Sequence, residues 1–519
     1  MRTGALLART PVARTSVVLA SIALVSGAVA SCTPASESAL EALPDTTLST
    51  STSTSAPTTT TEPPRVCLPS PPGAGRLGLS DEATIASIEL SQAVFVDCAD
   101  HVVVTSADPI ALATAAMRAG ELGAPLLVAT SEDLTQITGE IDRLRPLEVV
   151  VVGEVALPRL PETQLTLVDP DPAAAVPTTS GALLWLVDSR RPEVGAMAAA
   201  AASAIGAQTV AVHPGDVRAV DDDVRALIRE RQGATLVGRF PDRSEWQIEV
   251  VMAGLEVPGG GQVMFPPGRR LIALYGSPYA ASLGVLGEQS VEEAIERARQ
   301  LAAEYDNGDG VVSVPSFNLI TTIASAEAGE DDDYSAELSV DDIRPWVEAA
   351  GEAGVYVILD LQPGRTDFLT QAKRYEEFLR LPHVGLALDP EWRLEPDQVH
   401  LRQIGSVTAA EVNTVAEWLA GIVRDENLPQ KLLVIHQFKL SMITERNTLI
   451  TPAELAVLIQ MDGQGPLGSK FGTYAAITDG ALDSGLYWGW KNFYDEDDPT
   501  ATPEQTLSAE PQPVFVSYQ

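Results

Sequence analysis

The sequence has little positive charge, few cysteines and no apolar run long enough to cross a membrane as a helix. Lys and Arg total 34 against 71 Asp and Glu in 519 residues, a formal charge of −37 at pH 7. Such a field repels phosphate backbones and argues against nucleic acid as a partner. Three cysteines occur, Cys32, Cys67 and Cys98, and neither Cys67 nor Cys98 has a second Cys or a His at zinc-ligand spacing beyond the lone His101. The N-terminal apolar stretch, Ser16 to Ala30, is about 15 residues, short of the ~20 that span a bilayer, and nothing else in the chain reaches that length. Nucleotide and calcium loops are missing too. The glycines of PGGG, 258 to 261, neither follow the GxxxxGK pattern nor precede a convincing helix, and they read as a turn. EDDDY, 330 to 334, lacks the spaced oxygen ligands and fixed glycine of a calcium loop and reads as a solvated acidic loop. No metal and no cofactor is expected.

What is present begins with an address. Arg2, Arg9 and Arg14 precede the apolar stretch, which makes residues 1–31 an export signal. The segment ends in Val29-Ala30-Ser31-Cys32. It resembles the bacterial lipobox, which implies that Cys32 carries a lipid and becomes the mature N-terminus, anchoring the protein on the extracytoplasmic face of the membrane. Cys67 and Cys98 then remain as an even pair in an oxidising compartment, where a disulfide is the default and a metal pair the alternative. Residues 32–66 contain TTLSTSTSTSAPTTTTEPP, which cannot bury a core and reads as a disordered tether.

A chain this long needs more than one core. Residues 67–266 alternate β-branched strands (102 to 105, 125 to 130, 149 to 153) with Ala-rich helices, the signature of a parallel α/β layer. The pattern returns with strands at 183 to 188, 209 to 213 and 235 to 238. Gly206-Ala207 follows Gly123-Ala124 by about 83 residues, and LVG at 236 to 238 follows VVG at 151 to 153 by about 85, so the unit is duplicated. The stretches ADPIALATAAMRAGELGAPLLVA and RPLEVVVVG, and in the second copy Gln247 leading into a strand end at VPGGGQVMFP (257 to 266), resemble cell-wall-binding repeat type 2. That resemblance implies binding to an anionic wall polymer. The family uses three copies or trimers, and this chain has two.

Residues 270–519 read as eight longer βα units: candidate strands at 271 to 276, 310 to 316, 355 to 362, 384 to 392, 431 to 438, 455 to 463, 485 to 493 and 513 to 518. Eight such units over about 250 residues predict a TIM-type (β/α)₈ barrel, with an open doubly wound sheet as the alternative. The fold class is thus α/β, a duplicated parallel domain followed by a barrel. Polar residues end strand after strand: Tyr275, Asp360 with Gln362, Asp389 with Glu391, His436, then Gln460 with Asp462, while Trp488 and Trp490 lie on the seventh strand beside Lys491. In a barrel these converge on one mouth. On an extended path Gly385, Ala387, Asp389 and Glu391 share one face. Carboxylates, an imidazole and aromatic platforms suit a sugar.

The Asp389-x-Glu391 ending resembles the D-x-E end of chitinase-type glycoside hydrolases and the acidic pair of family 25 lysozymes. The resemblance implies Glu391 as general acid and Asp389 as the assisting carboxylate, with Asp360, His436 and Asp462 positioning substrate; Tyr275, Gln362, Trp488 and Trp490 are expected to bind it from the rim read above. Val384 and Ala387 stand where the upstream acids of that pattern would be, and Pro390 interrupts it. The whole chain resembles actinobacterial exported lipoproteins of the cell envelope. Two functions follow as expectations: a lipid-anchored glycosidase acting on cell-wall polysaccharide or another envelope glycan, or a non-catalytic wall-binding or structural lipoprotein with a degenerate glycosidase-like barrel.

Overall fold

The computed structural model describes residues 65 to 519 except 74, 131 to 133, 266 to 267 and 481 to 484. The expected export signal, Cys32 and the expected tether as far as Pro64 lie outside the described residues. Among the described residues no helix is long and apolar enough to cross a membrane. Cys67 and Cys98 form the expected disulfide, their Cα atoms 5.2 Å apart.

The first half carries strands β1 (Arg76–Leu77), β2 (His101–Ser106), β3 (Leu126–Ala129), β4 (Glu148–Val152), β5 (Gln164–Val168), β6 (Leu183–Asp188), β7 (Ala207–Val212) and β8 (Thr235–Val237). They form two parallel four-stranded sheets, in the orders β3-β2-β4-β5 and β7-β6-β8-β1. The orders match position for position, so the duplication read from the spacing is a duplication of topology. β1, from the start of this half, takes the place in the second sheet that β5 takes in the first.

Helices α1 (Ala83–Val94), α2 (Pro109–Leu122), α3 (Thr135–Leu144), α4 (Pro192–Ile205), α5 (Asp222–Glu230) and α6 (Ser244–Ala253) complete the layers. The repeated Gly-Ala pairs are helix ends: Gly123 and Gly206 sit at φ 60° and 66° after α2 and α4, a left-handed conformation that glycine adopts without strain. The starts correspond too, with Pro109 and Pro192 in the first turn and Asp108 accepting from Ile110 N and Ala111 N. Where the repeat resemblance implied a strand end, residues 257 to 265, the chain forms turns, and Gln247 lies in α6.

The second half is a closed barrel. Its strands are β9 (Arg269–Gly276), β10 (Val312–Ala324), β12 (Tyr356–Leu361), β13 (Val384–Leu388), β15 (Lys431–Gln437), β17 (Leu455–Met461), β18 (Tyr487–Asn492) and β19 (Phe515–Tyr518). All eight pair in parallel, and β19 closes on β9. A short β11 (Ser335–Glu337) adds antiparallel to β10, and β14 (Val407–Thr408) pairs separately with β16 (Ile443–Thr444). The open-sheet alternative is therefore set aside. β10 runs well past its expected end at 316, with a register break between Ile320 and Thr322.

Side-chain alternation divides the barrel strands into two cores. Ile272, Leu274, Val357, Leu359, Leu433 and Ile435 face the helices. Leu271, Ala273, Ile358, Ala387, Val434 and Leu458 fill the interior with Val257 and Met264 from the connecting segment.

A polar contact also joins the two halves. Glu454, fully buried just before β17, is bonded by Arg243 and Arg424. Arg218 donates to Ala453 O and stacks 5.0 Å from the Trp246 ring centroid. The α/β half thus meets the barrel at the N-terminal end of β17, away from the C-terminal strand ends.

Candidate functional site

The inward alternation leaves one polar position at or just beyond the C-terminal end of most strands. Tyr275 comes from β9, Asp360 from β12, His436 from β15 and Lys491 from β18, while Asp389 and Asp462 follow β13 and β17 directly. Tyr275, Asp389, Asp462 and Lys491 border a cavity of about 580 Å³ at the mouth, whose polar lining also includes Gln362, Glu391, Lys439 and Glu496. Trp392, Phe438 and Phe493 supply apolar wall.

Gly385 is explained by packing. A Cβ there would stand 2.9 Å from Tyr356 Oη and 2.8 Å from Leu432 O, and that hydroxyl is in turn held by Leu432 N. The extended path ends sooner than expected. Pro390 begins a 3-10 turn over Pro390–Trp392, and Asp389 Oδ1 accepts from Glu391 N at 3.2 Å. Glu391 therefore leaves the shared strand face but still reaches the cavity wall.

Beneath the cavity, His436 is fully buried between two acids. Its Nε2 lies 2.9 Å from Asp360 Oδ2, and its Nδ1 lies 3.1 Å from Asp462 Oδ2 in a charge contact that is off the line of a straight hydrogen bond. Burial opposes the imidazolium, but the two carboxylates outweigh it and push His436 up to about 10. Near neutrality the ring is a cation with a carboxylate facing each nitrogen.

Asp389 is pushed the other way. Burial raises it well above the usual carboxylate range, and the neighbouring charges of Asp462, Asp360 and Glu391 add to this against the pull of His436. Glu391 is less enclosed and rises to about 7, through burial first and the Asp462 charge second, with Lys491 and His436 drawing it back. One carboxyl is thus pushed toward its neutral form beside another poised near neutral pH, a separation of the kind found in acid-base sites. Tyr275 is also held un-ionised by burial and by Asp360, Asp389 and Asp462, and Gln362 donates to its hydroxyl at 3.4 Å.

The five residues Asp360, Asp389, Glu391, His436 and Asp462 form one connected cluster, with Tyr275 and Gln362 against it. Trp488 and Trp490 do not join them. Both face the helices, where Trp490 is fully buried against Phe471 and Tyr474, because Gly489 and Lys491 take the inward positions of β18. The aromatic side chains that line the cavity beside Tyr275 are instead Trp392, Phe438 and Phe493. Sequence reasoning passed over these because they stand on loops just past strand ends; Trp392 closes the very motif that supplied the two acids.

The EDDDY loop also differs from expectation. Asp333 is 5 % exposed and bonds Ser335 N and Thr366 Oγ1, so the loop is partly folded. Asp331, Asp333 and Glu337 bring one oxygen each within 4.8 Å of one another, but Glu337 is already shared with Gln371 and Arg374. A second cleft of about 450 Å³ near the start of β8 has as its acids only the exposed Glu245 and Glu249.

No family model matches the chain, and no curated protein matches it. Among solved structures it is similar to Cwp6 from Clostridium difficile, with 12% identity and a TM-score of 0.29 over 58% of this chain and 65% of that one. It is also similar to Cwp8 from Clostridium difficile, with 13% identity and a TM-score of 0.18 over 67% of this chain and 51% of that one. The chain thus spans less than two thirds of either, and at these TM-scores neither superposition equates the architectures.

Proposed function

We propose that the barrel mouth binds and cleaves a glycan of the cell envelope, with Glu391 as general acid. The observation that carries this reading is the convergence of Glu391, Asp389 and Asp462 on one roomy cavity. An acid that gives up a proton to a glycosidic oxygen works best with its pKa near the working pH, and Glu391 meets that condition. Asp389, pushed toward its protonated form by burial, offers a hydrogen bond to substrate. Asp462, held against the His436 imidazolium, supplies negative charge where positive charge develops at the anomeric carbon. Trp392 and Phe438 offer faces for a pyranose ring. The lipid on Cys32 and the duplicated α/β half hold this site at the wall.

The test incubates purified protein with peptidoglycan, arabinogalactan and chito-oligosaccharides and measures released reducing ends. Release that disappears in Glu391→Gln, with binding retained, supports the reading. Sedimentation with intact wall but no release from any substrate replaces it with the non-catalytic wall-binding function.

A further inference from the structure

Only five lysines occur in the chain, Lys373, Lys431, Lys439, Lys470 and Lys491, so arginine supplies most of its 34 basic residues. Three of the five are buried: Lys431 and Lys470 at 1 % exposure and Lys491 at 4 %. An ammonium taken out of water needs oxygen acceptors in place of it. Lys431 has two, Leu381 O at 2.8 Å and Val384 O at 2.6 Å. Lys470 has Asp497 Oδ2 at 2.6 Å and Lys491 O at 2.8 Å.

Lys491 is different. Its Nζ lies 3.4 Å above the Tyr275 ring centroid and 5.0 Å from that of Phe493, which partly offsets the lost water. Yet among the described residues its side chain has no hydrogen bond and no ion pair, although Glu391 is near enough to feel its charge. It also lines the cavity. A compact cation with three donors, fixed on a barrel strand and held by rings alone, is left with its acceptors to come from whatever enters the mouth. Lys439, exposed on the same rim, adds a second positive charge.

Of the acids that line the cavity, Asp389 is pushed toward its neutral form by burial and Asp462 faces His436, while Glu391 and the exposed Glu496 stand on the same wall without an ion pair to Lys491. Two of the chain's five lysines nevertheless meet at this one mouth.

We propose that Lys491, assisted by Lys439, is the subsite for an anionic group on the glycan, so that the mouth takes an acidic sugar rather than a neutral one. This rests on the reading of the mouth as a glycan site. The shared chemistry is an oxyanion, either the carboxylate of a sugar acid or a phosphate on the polymer.

The test is calorimetric, on the full-length protein in detergent. Three probes are titrated: a hexasaccharide of alternating glucuronate and N-acetylglucosamine, the same hexasaccharide with its carboxylates reduced to alcohols, and poly(glycerol phosphate). One anionic probe should bind about 10- to 100-fold more tightly than the reduced hexasaccharide, the usual range for a charge-assisted hydrogen bond. Which one it is tells carboxylate from phosphate. Lys491→Met should erase that preference, and Lys491→Arg should keep part of it. Should Lys491→Met fail to fold, Lys439→Gln on the exposed rim should still weaken the anionic probe several-fold and leave the reduced one unchanged. Equal binding of acidic and reduced hexasaccharides by the wild type, with no binding of the phosphate polymer, overturns the inference and leaves the glycan reading standing. Failure of all three probes and of chito-oligosaccharides to bind removes the glycan reading, and the inference with it.

Discussion

Glu391→Gln keeps the volume of the side chain at the cavity wall and removes its proton and charge. Two consequences of opposite sign follow. As general acid, Glu391 should be worth roughly 10² to 10⁴ in kcat, so the variant should lose that much while binding glycan nearly as before. For stability, the carboxyl is raised from its ordinary 4.5 to about 7. Between those values the unfolded chain is ionised and the folded chain is not, so stability present below pH 4.5 is lost as pH rises to 7. At about 1.36 kcal/mol for each tenfold change in proton affinity, the full cost is at most about 3 kcal/mol above pH 7. Gln does not carry that cost. Its melting temperature should exceed the wild type by roughly 3 to 6 °C at pH 8 and match it at pH 4. Activity of the wild type should also fall above pH 7, with about a tenth of Glu391 protonated at pH 8. The assay is reducing-end release from wall glycan alongside thermal melts at both pH values. A variant that loses activity and stability together at pH 8 would refute the reasoning, because Glu391 would then be a structural residue.

Glu454→Ala removes the buried acceptor of Arg243 and Arg424 between the two halves; both arginines can return to water, so the expected loss is about 2 kcal/mol, read as faster proteolysis within residues 254 to 268. Unchanged cleavage would show that the ion cluster does not fasten the halves. Reduction of Cys67–Cys98, separated by 31 residues, should destabilise the α/β half by up to about 3.7 kcal/mol, seen as a lower urea midpoint that a double serine variant reproduces. Asp360→Asn takes one carboxylate from His436, whose proton affinity should fall from about 10 toward its ordinary 6.5, followed by NMR titration of the ring. A raised His gives stability that is complete below pH 6.5 and is lost as pH rises through 10, so the variant should flatten that decline; an unmoved titration would mean that Asp462 alone holds the proton.

The barrel was legible because most of its strands are continuous apolar runs, and the duplication because α2 and α4 both stop at a left-handed glycine, which leaves Gly123-Ala124 and Gly206-Ala207 as markers. β1 was not legible. Two residues carry no period, and their partners in β8 lie some 160 residues away, a pairing fixed by tertiary packing. β5 escaped for a related reason: it is a sheet-edge strand, and Leu165 and Leu167 are exposed rather than turned into a core. The sense of β18 could not be read either. Alternation separates Trp488 and Trp490 from Gly489 and Lys491 but does not say which pair faces in. Packing decided it, since the helix layer has room for indoles and the interior beside Phe515 and Leu458 does not.

The incomplete acid motif on β13 has a spatial answer. Ala387 stands where the chitinase-type pattern would have a carboxylate, and its parallel partner across the ladder is Asp360. A residue and its ladder partner lie at one level of the barrel with side chains on the same face. The acid missing from one strand is therefore present at the same height on the next, about 4.8 Å away in the backbone. There it meets His436, with Oδ2 2.9 Å from Nε2. A motif written along one strand records only a vertical line of the mouth. The chemistry depends on the ring of side chains at each level, so loss of the linear pattern does not entail loss of the site, and the Glu391 and Asp360 variants separate the two cases.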